Sequence, residues 1–175
     1  MSSGLVDPLR HNAWATAQVL ELCRPLTPDQ LRASSPGNYG TILETLQHII
    51  GADDRYRSRL TGKDSPWPRR PEEVEDVGEL ARMAEDLGPF WDELAAGPFD
   101  PERTIAFVYA DPDPEDVGWE FEVKAGVLVA QAINHANEHR AQIFTILTTL
   151  GIEPPELSGW TYGEATGRFG RARKL

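Results

Sequence analysis

With 175 residues, 40% hydrophobic and 26% charged, the chain has the composition of one ordinary globular domain, large enough to bury a core without cross-links. Its formal net charge of −11 argues against nucleic acid as a partner, because phosphates need a basic footprint. No stretch approaches the ~20 apolar residues of a membrane span, and no charged-then-apolar export signal opens the chain. The one cysteine, Cys23, has no partner for an internal disulfide, which suits a reducing cytoplasm.

The first predicted helix covers residues 5–24. Leu5, Leu9, Ala13, Ala17 and Leu20 recur on one face, Cys23 joins its inner side, and Pro25 ends it. Thr27-Pro28-Asp29-Gln30 reads as a capped short helix, and Ser34 to Asn38 as a turn. The second long helix is expected from Tyr39 to Leu60, with Ile42, Leu46, Ile49, Asp53, Tyr56 and Leu60 near one stripe. A loop containing Pro66-Trp67-Pro68 follows. The third helix spans 72–96, its acidic start suited to a helix N-terminus, with Gly88-Pro89 expected to bend or interrupt it. Ile105 to Tyr109 and Trp119 to Val123 alternate as two strands around Asp111-Pro-Asp-Pro114, a small hairpin or ordered loop. The last and longest helix covers 124–150, stopped by Gly151. The fold class is therefore all-α, one domain over 1–175, a bundle of the kind that builds metal sites between facing helices. The terminal Arg168, Arg171, Arg173 and Lys174 read as a solvated basic tail.

The last helix carries the chemistry. His135 and His139 are four residues apart, so helix geometry stacks both imidazoles on one face. That face also holds Leu128, Ile146 and Leu150, so the two histidines interrupt the stripe that should meet the core. Buried imidazoles must place their ring nitrogens. Gln131 and Gln142 beside them are candidate outer partners for metal-bound rings. His48 lies off the apolar stripe of its helix, near Thr41, Glu44, Thr45 and Ala52. It either faces solvent or lines a cavity through a smaller, more polar face. His11 falls opposite the apolar face of helix one and reads as a surface histidine. His135-Ala-Asn-Glu138-His139 also matches the inverted zinc-peptidase pattern H-x-x-E-H, which makes Glu138 a candidate general base.

Thr41 to His48 fits T-x-x-x-x-L-x-H, and Asn134-His135-Ala-Asn-Glu-His139-Arg-Ala-Gln142-Ile is followed by Leu150-Gly-Ile-Glu-Pro-Pro. These segments resemble the second-helix and last-helix signatures of the DinB-like superfamily, and His11-Asn-Ala-Trp14-Ala resembles its first helix. The resemblance implies an up-down-down-up four-helix bundle, often a homodimer, with His48, His135 and His139 as ligands to zinc, nickel or another divalent ion. Ala141 stands where many relatives have glycine. Three neutral imidazoles leave a catalytic-type open position. Characterised members include transferases that use low-molecular-weight thiols, so the resemblance implies a small thiol and a small-molecule electrophile as partners. A metal-binding protein without turnover, acting in sensing or storage, is the alternative, and a metal-free bundle the plainest one.

Overall fold

The computed structural model describes residues 4–109 and 118–170. Among them the chain is mostly helical, with one two-stranded sheet. The helices are α1 (Val6–Cys23), α2 (Pro28–Leu31), α3 (Ile42–Thr61), α4 (Val77–Ala96), α5 (Ala125–Thr149) and α6 (Gly159–Ala165). The strands β1 (Thr104–Tyr109) and β2 (Trp119–Lys124) pair antiparallel, with Ile105 opposite Val123 and Phe107 opposite Phe121. The expected hairpin is present, while its Asp111 to Pro114 connection lies outside the described residues. No helix among the described residues is long and apolar enough to cross a membrane.

Local chemistry sets the helix ends. Thr41 caps α3 in a reciprocal box: its hydroxyl accepts from Glu44 N at 3.2 Å, and Glu44 Oε2 accepts from Thr41 N at 2.8 Å. These bonds hold the Glu44 carboxyl below its ordinary range. The box moves the start of α3 from the expected Tyr39 to Ile42 and leaves Asn38-Tyr39-Gly40 outside the helix. Gly62 ends α3 in the left-handed region at φ 71°, where a side chain would be strained. The third predicted helix is split. Pro71–Glu73 form a separate 3-10 turn, and α4 begins only after Asp76, whose carboxylate accepts from Glu79 N at 3.0 Å. The helix then runs on through Gly88-Pro89 rather than breaking there.

The long helices α1 and α3 each pack against both α4 and α5. Two apolar clusters fill the space between them. One gathers Val19, Leu20, Ile42, Leu46, Leu80, Ile143 and Leu147. The other gathers Leu9, Tyr56, Leu87, Trp91, Leu128 and Val129. Cys23 is fully buried in the first, and burial pushes its thiol up to about 12, so it is a packing residue. α5 carries another apolar group, and the chain itself covers it: Val129 and Leu147 are buried, and Ile133 and Phe144 pack partly buried against the two clusters.

Between the two clusters lies a polar layer. Arg140 of α5 is buried, and its Nη1 donates to Asn12 O, Asn12 Oδ1 at 2.9 Å and Thr16 Oγ1 at 2.8 Å on α1. Asp53 of α3 is buried on the same level and attracts the Arg140 charge. Its Oδ1 has no hydrogen-bond partner, and burial pushes its carboxyl up to about 7. Sequence periodicity placed Asp53 on the apolar stripe correctly, but gave no sign of its cationic neighbour.

The C-terminal segment returns to α1. Tyr162 of α6 packs against His11 and Trp14, and His11 Nε2 donates to Leu157 O at 2.7 Å. His11 is thus half-buried rather than the free surface residue expected. Arg168 pairs with Asp7 at 2.8 Å, so the start of the basic tail is fastened to α1, and Arg171, Arg173 and Lys174 lie outside the described residues.

Candidate metal centre

The box at Thr41 fixes the phase of α3, and two turns later His48 points toward α5. There it meets His135 and His139, whose stacking on one helical face follows from their spacing. The ligand-capable ring atoms of the three lie within 4.8 Å of one another, and no Asp, Glu or Cys joins the group among the described residues. His48 Nε2 and His135 Nε2 face each other at 2.9 Å. Without a cation between them, one of these nitrogens must carry a proton and the other accept it.

The third ring is oriented from outside. His139 Nδ1 donates to Gln142 Oε1 at 2.8 Å, which places the proton on Nδ1 and leaves the Nε2 lone pair free. The same Gln142 oxygen accepts from Tyr39 N at 3.3 Å, and Asn38 Nδ2 donates to Gln142 O at 2.9 Å. The segment before α3 is therefore tied to α5 beside the site. Tyr39 stacks on His48 with ring centroids 4.1 Å apart and meets His139 edge-on at 5.2 Å. Tyr39 is itself 54% exposed and forms the outer cover of the cluster.

Burial lowers both His48 and His135 to about 4, with His139 and Arg55 adding repulsion. Both rings are then neutral at physiological pH, the state in which imidazole donates to a metal. The buried Nδ1 of His135 has no hydrogen-bond partner. The close approach of the His48 and His135 Nε2 atoms suits a cation shared by their lone pairs. The donor set fits a borderline divalent ion such as zinc or nickel.

Two residues expected near the rings lie elsewhere. Gln131 is exposed, and the hydrogen bonds of the three rings run among themselves and to Gln142 rather than to it. Glu138 is exposed, and its Oε1 accepts from Asn134 Nδ2 at 2.9 Å, outside the group of mutually close ligand atoms. Sequence reasoning also passed over Tyr39 and Arg55. The cap at Thr41 was the available signal for Tyr39, since it puts that residue outside the helix and within reach of His48.

A family model described as the DinB family matches residues 1–173. The chain belongs to the DinB family. The match spans α3 and α5, the two helices that carry the clustered histidines of this DinB protein, and the segment between them. No curated protein matches the chain. Beside the three imidazoles the DinB chain opens into a cleft of about 1260 Å³, with His48 and His135 in its wall.

Proposed function

We propose that this DinB-family chain holds a divalent metal ion through His48, His135 and His139 and acts as a thiol-dependent transferase on a small electrophile. The single observation that carries the reading is the convergence of three imidazoles, with no carboxylate in the group among the described residues and with His48 and His135 in the wall of an open cleft. When bound, such an ion lowers the pKa of a thiol or water that it ligates and so supplies a nucleophile at neutral pH. His139 is held for ligation by Gln142. Tyr39 shields the outer face of His48 from water, and the cleft offers room for both the thiol and its electrophile. The packing of α1 and α3 on α4 and α5 supports the up-down-down-up bundle implied by the family resemblance. A homodimer in the cytoplasm is the matching assembly.

The test mixes untagged protein, loaded with zinc or nickel, with a panel of low-molecular-weight thiols and a generic electrophile. A rate above buffer with at least one thiol, lost in His135→Ala, is the expected result. Full metal occupancy with no turnover for any thiol would instead assign a metal-binding role without catalysis. Absence of metal uptake would leave a bundle whose histidines serve only packing.

A further inference from the structure

The cleft beside the imidazoles lies between two walls. α3 supplies one, with His48, Gly51 and Arg55 on it, and the connection from α3 to α4 supplies the other between Ser65 and Glu73. That connection is pinned firmly near both ends. Arg57, buried and paired with Asp54 at 2.9 Å, donates through Nη2 to Asp64 O at 2.6 Å. Gln47, also buried, donates to Val74 O at 2.8 Å. Between the pins the fastenings lie at the surface. Trp67 Nε1 donates to Asp86 Oδ2 at 3.0 Å and Arg69 pairs with Glu79 at 2.8 Å, and neither acid is in the cleft wall.

One ion pair crosses from wall to wall. Arg55 Nη1 of α3 donates to Glu72 Oε1 of the 3-10 turn at 2.8 Å. Gly51 lets this bridge lie close to the rings. It stands inside a 20-residue helix, where glycine is an unfavourable choice. A Cβ there would meet Glu72 Oε1 at 2.5 Å and Arg55 Nη1 at 3.1 Å, so the bare backbone is the seat on which the pair rests. Gly51 follows His48 by less than one turn, roughly 4.5 Å along the helix axis. The charges of Arg55 and Glu72 both act on the His48 ring. Their side chains are 45% and 44% exposed, and a pair so open to water holds only weakly.

We infer that the Arg55–Glu72 bridge is a gate across the histidine end of the cleft, parting to admit a molecule to His48 and His135 and closing behind it. The pins at Asp64 and Val74 keep the connection in place while the weak bridge between them opens. Salt screens an exposed pair, so access to the rings should rise with ionic strength. The gate belongs to the cleft that the transferase reading uses, but it acts on the rings whether or not they hold an ion.

Chemical labelling of the metal-free protein tests it. Diethyl pyrocarbonate modifies accessible imidazoles, and mass spectrometry reads the rates at His48 and His135, with His11 as a reference ring outside the cleft. Glu72→Gln keeps the shape of the side chain and removes its charge, and should speed labelling of both rings by up to about fivefold. Gly51→Ala should do the same by unseating Glu72 with both charges intact, in a helix that alanine favours. Molar salt should speed labelling of the wild type and leave Glu72→Gln nearly unchanged. Glu73→Gln, next along the same turn but outside the pair, should label like the wild type. Wild-type rates in both Glu72→Gln and Gly51→Ala would overturn the gate. So would an equal rise at His11, which would report loosening of the whole fold.

Discussion

An imidazole becomes a ligand only when its proton is held on the other nitrogen, and Gln142 does this for His139 through the 2.8 Å bond to Nδ1. Gln142→Ala should therefore lower metal affinity about 10- to 100-fold, measured by competition with a chromophoric chelator. Gln131→Ala should stay near wild type, because that amide is exposed and orients none of the three rings. If the two variants lose affinity equally, the orienting role is not specific to Gln142. Replacing His48, His135 or His139 with Ala should each cut occupancy sharply in elemental analysis. His11→Ala should retain the metal but lose about 1 kcal/mol of stability, since it gives up the bond to Leu157 O. The pair at 135 and 139 was legible from spacing alone. His48 was not, because periodicity reports which face is apolar and cannot tell a cleft wall from bulk solvent. Its placement came instead from the motif shared with the family.

At the scale of elements, α5 has two tasks: it presents His135 and His139 on one side and Arg140 toward α1 on another. Arg140 ties that helix to Asn12 and Thr16, and its charge acts on the buried Asp53. Arg140→Leu should cost about 3–5 kcal/mol in chemical denaturation, since Asp53 would remain as a buried charge without its counter-ion. The loss should be larger at pH 8 than at pH 5. Asp53 already titrates near 7, above its ordinary value, and losing the guanidinium raises it further, so the penalty grows as pH rises and the carboxyl must ionise. Equal losses at the two pH values would show that Asp53 does not feel Arg140. The long helices were readable because their apolar residues repeat at the helical period. Their exact starts depended on capping, as Thr41 and Asp76 show, and the seven-residue α6 is too short for a periodic signal. Its stability comes from packing on His11 and Trp14.

For the whole molecule, buried titratable groups on different helices pull stability in opposite directions as pH changes. His48 and His135 are lowered to about 4 from 6.5 by burial, facing His139, Arg55 and Glu72. The unfolded chain therefore takes up their protons first, and each ring makes stability rise with pH between about 4 and 6.5. Asp53 is raised from 3.8 to about 7, with Arg140 opposing, so its folded form keeps a proton that the unfolded chain has released. It makes stability fall across that window. Two rings against one carboxyl leave a net rise toward pH 6.5 in protein freed of metal by a chelator, followed by a shallow decline to pH 7. Asp53→Asn removes the opposing group and should steepen the rise. Added zinc stabilises by mass action only where the rings are free of protons, so its gain in Tm should shrink as pH falls toward 4. Calorimetric Tm against pH, with chelator and with zinc, measures all three trends. A metal-free Tm that is flat or falling from pH 4 to 6.5 would mean that His48 and His135 are not held neutral by the fold, and the facing nitrogens would then need another explanation.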